Sequence, residues 1–187
     1  MSEDVRIRDV RIRDVRDTDL EVFYEQQLDP EAVRRARFPA RDRETFMTHW
    51  ATKVLGDRTA LVQAVTVDGE TAGSIVAWWA DHADHADQVD QADQVDQADE
   101  AGEQDRQRFI GYWFGRQYWG RGVGTRSLGL FLRLEETRPL YADPFVGNTA
   151  SVRLLERHGF RPSGTVRPGE EDFPLLVLHG EDAQPGR

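Results

Sequence analysis

Residues 108–132 read RFIGYWFGRQYWGRGVGTRSLGLFL, and this stretch decides the fold. Its first part is an aromatic and β-branched run that ends at Gly115, and such a run favours a buried β-strand. From Thr125 onward, apolar residues share one face of an amphipathic helix that must end before Pro139. The stretch therefore predicts a strand, a turn and a helix in direct succession.

The turn between this strand and this helix carries three alternating glycines, Gly120, Gly122 and Gly124. Without Cβ atoms, these positions let backbone N–H groups approach a ligand closely. The start of a helix adds unsatisfied amides and the positive end of the helix dipole. Two interpretations stay open: a tight connection without a ligand or, favoured by Arg121 among the glycines, a phosphate site.

Two common nucleotide motifs do not fit this turn. A P-loop ends in Gly-Lys-Ser/Thr, but the only lysine of the chain is Lys53. A dinucleotide fingerprint needs a third glycine three residues after the second, and Thr125 occupies that position. The spacing therefore disfavours both kinds of nucleotide site.

Residues 119–124 resemble another phosphate motif, the pyrophosphate loop Gln/Arg-x-x-Gly-x-Gly/Ala of the GCN5-related N-acetyltransferases (GNAT). Trp119 departs from the first position, in a way that resembles ribosomal-protein N-terminal acetyltransferases, which often read Tyr-Trp-Gly-x-Gly. The resemblance covers about residues 10–180. A second block fits the family's Asn-x-x-Ser/Ala and Gly-Phe pattern at the expected distance: Asn148, Ser151, Leu155, Gly159 and Phe160.

The resemblance implies an α/β (α+β) GNAT fold, with a mixed central sheet of about six to seven strands and helices on both faces. It also implies acetyl-CoA as co-substrate and no metal. In this family the central strand separates from the next one, and acyl-CoA lies in the gap. The residues that would then contact the cofactor are Trp113, Phe114, Arg121, Gly122, Val123, Gly124, Thr125 and Asn148.

The resemblance further implies that the acceptor amine attacks the thioester directly, so a chain without cysteine can perform the reaction. Many family members protonate the departing thiolate with a tyrosine at the position of Leu155, and leucine cannot do this. We expect Ser151, Asn148 or Tyr141 near the thiolate, with an ordered water as the alternative. Each of the three also has an ordinary structural role, as a helix cap or a core residue. No base stands out, which favours an amine of low pKa such as an α-amine.

The net charge of −10 is concentrated in one segment. Residues 81–108 hold eight Asp, two Glu and two Arg, hence −8, because an aspartate recurs at every third position. A three-residue period gives no coherent apolar face, so 81–107 is predicted to be an acidic low-complexity loop inserted into the domain. Two histidines stand beside these aspartates, but a repeat supplies no converging geometry for a metal.

Composition excludes several function classes. The rest of the chain carries a net charge of only −2, so neither a nucleic-acid nor a membrane partner is expected. No run approaches the ~20 apolar residues of a membrane span, and the N-terminus has no apolar signal region. The lack of cysteine excludes thiol catalysis, disulfides and cysteine-ligated zinc. We expect a cytoplasmic monomer or homodimer that acts on a small-molecule or peptide amine.

The domain is expected to span residues 10–180, between two tails. The N-terminus repeats the sequence VRIRD, and the second copy is the predicted first strand, which leaves 1–9 as a duplicated tail. As the alternative, either copy could occupy this strand position through a register slip. Alternating apolar runs on both sides of Asp68-Gly69 predict a hairpin. Residues 181–187 are the second tail.

Three helices are predicted between the first strand and the hairpin. Asp17 or Thr18 caps the first, Asp29 opens the second, and Asp42 caps the third. The second carries a cluster of arginines, which is either a solvated face or a rim that meets an anionic acceptor or cofactor phosphates: Arg34, Arg35 and Arg37.

In family members the third helix walls the acceptor site. Trp50 and His49 could line that site here, although a core position is favoured for Trp50 and a surface position for His49. Two other function classes stay open. The missing tyrosine and the unassigned base suggest a non-catalytic CoA-binding module, and the acidic loop suggests a partner-binding protein in which this loop captures a basic segment.

Overall fold

The computed structural model describes residues 9–80, 106–166 and 173–180. The strands form a seven-stranded sheet in the order β1-β2-β3-β4-β5-β7-β6. Parallel pairing of β4 with β5 and antiparallel pairing of β1 with β2 make the sheet mixed. The strand bounds are β1 Val10–Arg13, β2 Leu61–Val67, β3 Glu70–Ala80, β4 Gln107–Phe114, β5 Leu140–Ala142, β6 Arg161–Val166 and β7 Phe173–Leu178.

In the described part of the chain, five α-helices accompany the sheet, which confirms the predicted fold class. The third helix continues into a π-helical turn, and a short 3₁₀ turn follows β4. The helix bounds are α1 Asp17–Gln27, α2 Pro30–Ala36, α3 Arg43–His49 with the π turn Trp50–Val54, the 3₁₀ turn Arg116–Tyr118, α4 Val123–Phe131 and α5 Thr149–Arg157.

The described residues divide into two compact units. In the first, aromatic side chains from α1, α3 and the π turn pack together, with the rings of Phe23 and Trp50 4.9 Å apart and those of Phe46 and Trp50 5.9 Å apart. The core position predicted for Trp50 is therefore confirmed. The first unit holds 9–32, 40–76 and 111–136; the second holds 33–39, 77–80, 106–110, 137–166 and 173–180.

Local signals place several elements where the sequence predicts them. The second VRIRD copy forms β1, and Asp68 and Gly69 form the hairpin turn with φ values of 50° and 91°. The side chains of Asp29, Asp42 and Asn148 accept backbone N–H groups in the first turns of α2, α3 and α5. These caps satisfy amides that a helix start leaves without intrahelical acceptors.

The predicted N-cap residue of α1, Asp17 or Thr18, is wrong by one or two positions. Arg16 is the N-cap residue, and the carboxylate of Asp19 accepts its backbone N–H at 2.8 Å. Asp19 is 2% exposed and also accepts hydrogen bonds from the Arg13 guanidinium, at 2.6 and 2.8 Å, and from Thr71 Oγ1 at 2.6 Å. Burial raises the pKa of Asp19, but these donors outweigh it and lower the pKa to about 2. One buried carboxylate thereby joins β1, α1 and β3.

His49 does not occupy the surface position predicted for it. The residue is half-buried at the end of α3. Burial, together with the positive charges of Arg41 and Lys53, lowers its pKa to about 4. His49 is therefore neutral at pH 7.

The predicted tails and acidic loop fall largely outside the described residues. Three residues of these predicted segments are described, namely Asp9, Arg106 and Gln107. Asp9, predicted to end the tail, accepts the Asp68 N–H at 2.8 Å and donates its own N–H to the Asp68 carboxylate at 3.0 Å. Gln107, predicted to end the loop, is the first residue of β4.

Candidate active site

The glycine turn leads directly into α4. Gly120 and Gly122 adopt φ values of 68° and 78°, in the left-handed region that favours glycine. Gly124 does not: α4 begins at Val123, two residues before the predicted start, so Gly124 lies in its first turn. The first backbone hydrogen bond of this helix runs from Arg126 N to Gly122 O at 3.1 Å. The N–H groups that precede it have no acceptor within the helix; Gly122 and Thr125 are exposed, Gly124 is half-buried and Val123 is buried.

Two side-chain hydrogen bonds hold the turn before α4 against the rest of the protein. Val123 is 1% exposed, and its carbonyl accepts the buried Ser127 hydroxyl at 2.8 Å. The indole N–H of Trp119 donates to the Phe114 carbonyl at 2.9 Å, closing the turn against the end of β4. In the sequence Trp119 is only a departure from a motif, because an indole N–H gives no local signal of its acceptor. The structure shows that this residue supports the turn.

The end of β4 is fixed by two further hydrogen bonds. The indole N–H of Trp113 donates to the Gln26 carbonyl at 3.1 Å, at the end of α1. Gly115 N donates to the Ala72 carbonyl on β3 at 3.0 Å. The indole N–H of Trp113 is therefore already engaged within the protein.

The parallel ladder between β4 and β5 is short. In the described part of the chain it consists of the pairs Arg108–Leu140 and Phe109–Tyr141. Strand β4 continues to Phe114. Its last five residues therefore lie beyond the ladder with β5, and these include the predicted cofactor contacts Trp113 and Phe114.

The first turn of α5 holds two of the predicted catalytic residues. Asn148 is the N-cap, and its Oδ1 accepts Ser151 N at 3.3 Å, so the structure brings Asn148 and Ser151 together. Tyr141 lies on β5, with its ring centroid 5.5 Å from that of Phe109. Leu155, at the position of the family's tyrosine, is 1% exposed and belongs to the core. The roles of the three polar residues stay predictions.

A cavity of about 320 Å³ opens beside the start of α5, in the second unit. The guanidinium carbon of Arg37 lies 5.4 Å from the ring centroid of Phe145, one of the lining residues. We call this space the arginine cavity, lined by Arg34, Arg35, Phe145, Gly147, Asn148, Thr149 and Ala150. Two of the clustered arginines thus line a cavity together with Asn148.

A smaller cavity of about 200 Å³ lies in the first unit, between α1 and the 3₁₀ turn. It is lined in part by Gln26, which is 8% exposed and whose side-chain amide makes no hydrogen bond. Two other lining residues, Arg116 and Asp29, form an ion pair in which Arg116 Nη1 lies 3.8 Å from Asp29 Oδ2. A glutamine gives no sequence signal of such a state, so sequence analysis misses it.

Metal and membrane features are not found in the described ranges. Residues 9–80, 106–166 and 173–180 contain no group of three or more His, Cys, Asp or Glu side chains suited to hold a metal ion. Among the helices of the same residues, none has the length and apolar character needed to cross a bilayer. The two histidines of the acidic repeat lie outside the described residues.

The family model described as the acetyltransferase (GNAT) domain matches residues 9–161. This match covers well over half of the chain, and the chain therefore belongs to the GNAT acetyltransferase domain family. The resemblance to GNAT enzymes is confirmed, whereas the match does not select the ribosomal-protein branch. A search of curated proteins finds no significant match.

Solved structures agree with this assignment at the level of the fold. The aminoglycoside acetyltransferase AAC(6')-Ib in complex with coenzyme A has a TM-score of 0.66 and 19% identity, over 93% of this chain and 96% of that one. The spermidine N-acetyltransferase from Vibrio cholerae, with CoA and spermine, has a TM-score of 0.69 and 12% identity, over 93% and 97%. A GNAT acetyltransferase from Bacillus anthracis has a TM-score of 0.65 and 16% identity, over 94% and 97%.

Proposed function

We propose that this protein is an N-acetyltransferase that uses acetyl-CoA and a small-molecule or peptide amine. One observation carries the proposal: an exposed turn with two left-handed glycines leads into the N-terminus of α4. An added Cβ at Gly120 or Gly122 would meet no atom within 4 Å, so there is room for a ligand beside the backbone. Membership of the GNAT family and the CoA complexes of its structural neighbours support the same cofactor.

The residues present fit the pyrophosphate of CoA. Backbone N–H groups of Gly122, Val123 and Gly124, at the positive end of the α4 dipole, would hold the phosphates. Arg121 and Thr125 are exposed beside them and add polar side chains. The backbone of Trp113 and Phe114 and the side chain of Asn148 would contact the pantetheine arm, as the family resemblance implies. When bound, acetyl-CoA supplies an acetyl group activated as a thioester.

The transfer needs a neutral amine and a proton for the leaving thiolate. The acceptor nitrogen forms a bond to the acetyl carbon as the carbon–sulfur bond breaks; sulfur leaves with its electron pair, and nitrogen gives up a proton. We propose that Ser151 or Asn148 guides that proton to sulfur, directly or through water, with Tyr141 as the alternative. The residues to which we assign proton transfer include no carboxylate, histidine or lysine. An amine of low pKa is therefore the best acceptor.

The turn also supports a finer proposal. Tyr118-Trp119-Gly120 followed by Gly122 agrees with the pattern of ribosomal-protein N-terminal acetyltransferases. An acceptor with an α-amine suits both that branch and the weak base apparatus, since an α-amine has a pKa of about 8 and a lysine side chain one of about 10.4.

Thermal denaturation with acetyl-CoA tests the cofactor first. At a concentration of 100 Kd, a ligand that binds only the folded protein stabilises it by about 2.7 kcal/mol. ATP is the control ligand, because it also carries phosphates. Stabilisation by ATP and none by acetyl-CoA would contradict the proposal.

Release of free CoA thiol then tests the chemistry. We expect faster release with peptides that have a free α-amine than with Nα-blocked peptides that contain lysine, at pH 7. Equal rates with both peptide types would show that the amine pKa does not select the acceptor.

A CoA-binding module without chemistry is the second candidate. It is favoured by one observation, the burial of Leu155 at the position where many relatives have a catalytic tyrosine. Acetyl-CoA would then stabilise the protein, but no amine would accelerate thiol release.

A further inference from the structure

The side-chain amide of Gln26 is buried without a hydrogen bond. The residue is 8% exposed, and neither its Nε2 nor its Oε1 has a partner among the residues that the structure describes. Burial takes both atoms away from bulk water, so an unpaired amide at this place is unfavourable in the protein alone. A ligand that offers both an acceptor and a donor would satisfy the two atoms.

The amide lies at the smaller cavity, between α1 and the 3₁₀ turn. Gln26 lines this cavity together with Gly115 and Gln117. A Cβ added to Gly115 would lie 3.0 Å from Gln26 Nε2 and 3.0 Å from Gln117 Oε1, so two side-chain amides approach the same glycine. They are not bonded to each other, because Gln26 Nε2 has no partner. The lining therefore brings a donor and an acceptor close to one point.

The smaller cavity adjoins the end of β4. The Gln26 carbonyl accepts the Trp113 indole N–H at 3.1 Å, and Gly115 directly follows Phe114 in the chain. Trp113 and Phe114 are the residues whose backbone we assign to the pantetheine arm. At about 200 Å³ the cavity is smaller than the roughly 300–1,000 Å³ of sites that enclose a whole small molecule. It fits one group of a ligand whose reacting part lies outside it.

The chemistry of the lining favours a neutral group that has both a donor and an acceptor. A peptide group has one N–H and one C=O, and it is complementary to the side-chain amide of a glutamine. An ammonium group offers only donors and a carboxylate only acceptors, so each would leave one atom of Gln26 without a partner. Two charged lining residues, Arg116 and Asp29, are already paired with each other. An amide therefore suits this cavity better than either ion.

We infer that the acceptor is a peptide with a free α-amine, and that Gln26 binds the first peptide group of this acceptor in the smaller cavity. The inference rests on the proposed acetyltransferase function and names its substrate class. Gln26 would donate to the peptide carbonyl and accept the peptide N–H. The α-amine, one Cα atom away from that carbonyl, would then be directed toward the end of β4. Spermine, which is present in one of the neighbouring structures, contains no peptide group.

The test measures release of CoA thiol by the full chain with acetyl-CoA and tripeptides that differ in their first residue. For the best tripeptide, the matched acceptor has an ester oxygen in place of the N–H of the first peptide group. An ester lowers the pKa of the neighbouring α-amine at least as much as an amide does. A preference for the peptide therefore cannot come from a larger fraction of neutral amine. Spermidine is the arm without a peptide group.

We expect the peptide to exceed its ester in kcat/KM by about fivefold or more, the contribution of one neutral hydrogen bond. Gln26→Met keeps a side chain of similar length and removes the amide. It should abolish the preference by raising the KM of the peptide, with the KM of acetyl-CoA unchanged. Because the amide makes no hydrogen bond within the described protein, the substitution should not lower Tm.

Gln27→Met is the matched control at the next position. Gln27 is 6% exposed, but its amide donates to the Arg41 carbonyl at 3.0 Å and accepts the Arg41 N–H at 3.2 Å. Loss of these two bonds should lower Tm and leave the ratio of peptide to ester unchanged. The two glutamines are therefore expected to show opposite responses.

Gly115→Ala tests the cavity while keeping the Gln26 amide. Gly115 has a φ of −57°, which alanine adopts without strain. The added Cβ would press on the amides of Gln26 and Gln117 and narrow the space between them. We expect a higher KM for the peptide, and an unchanged KM in this variant would contradict the inference.

Four other results would overturn the inference. In the first two, peptide and ester react equally well, or spermidine is the best acceptor. In the third, Gln26→Met raises the KM of acetyl-CoA and spares that of the peptide, so the amide binds pantetheine, or it changes neither KM, so the amide meets only water. In the fourth, no peptide accelerates thiol release although acetyl-CoA stabilises the protein. Loss of that stabilisation itself would instead contradict the proposed function.

Discussion

Replacement of Gly122 by alanine tests whether the turn before α4 holds the cofactor. Gly122 is the N-cap of α4 and has φ of 78°. No atom lies within 4 Å of an added Cβ, so the substitution causes no clash. Its cost arises from the backbone alone, because a residue with a Cβ pays roughly 1–2 kcal/mol in the left-handed region. For a chain of 187 residues this lowers Tm by about 2–8 °C.

The same strain should weaken acetyl-CoA binding. Relief of the strain requires φ to become negative, and this rotates the amides at the start of α4 away from their present directions. Loss of one charge-assisted hydrogen bond to a phosphate raises Kd by about 10- to 100-fold. The measurement is thermal denaturation at increasing acetyl-CoA, which gives stability and affinity from the same samples.

Gly124→Ala is the matched control, two residues away. Gly124 lies in the first turn of α4, where alanine is favoured over glycine by up to about 1 kcal/mol. We expect Tm to stay the same or rise and acetyl-CoA affinity to stay within about threefold, well below the loss of a hydrogen bond. Equal losses of affinity in both variants, or none in Gly122→Ala, would refute the assignment of distinct roles to the two glycines.

Three further predictions concern stability and the turn. Asp19→Asn should lower the free energy of unfolding, measured in urea, by about 3 kcal/mol, because it leaves the Arg13 guanidinium without its buried carboxylate partner. The control Asp17→Asn changes an exposed residue in the same turn and should alter this free energy little. The pKa of His49 is lowered from 6.5 to about 4, so its contribution to the free energy of unfolding is fully present above pH 6.5 and is lost as the pH falls toward 4. This loss is about 1 kcal/mol after solvent screening, and His49→Gln should remove it from the plot of unfolding free energy against pH. A second loss follows below pH 4, as Asp19 titrates toward its pKa of about 2. Trp119→Phe removes the donor to the Phe114 carbonyl and should raise the KM of acetyl-CoA, while circular dichroism and the KM of the acceptor stay unchanged.

Elements with a local cause could be predicted from the sequence. The hairpin turn needs two residues that tolerate positive φ, and Asp68-Gly69 supplies them. Asn148 caps α5 because its acceptor and the Ser151 N–H are three positions apart. In such cases the sequence window contains both partners, so residue type and spacing are sufficient.

Features that depend on distant partners could not be predicted. The carboxylate of Asp19 meets Thr71, 52 positions away, and its burial depends on the packing of three elements. For this reason Asp17 and Thr18 looked like equal candidates for the cap, although Asp19 accepts the N–H of the N-cap residue. His49 was misplaced for the same reason, because the charges and atoms that lower its pKa come from outside its own helix pattern.

The same distinction explains why the co-substrate is easier to infer than the acceptor. Recognition by backbone amides requires particular φ values, and positive φ values favour glycine, so Gly120 and Gly122 remain visible as a motif. Recognition of an acceptor depends instead on side chains that converge in space, and the spacing of residues in a sequence does not show such convergence. Arginines on a short helix look the same in the sequence whether they face solvent or a cavity. In the structure Arg34 and Arg35 line a cavity together with Asn148, a placement that their spacing in the sequence does not indicate.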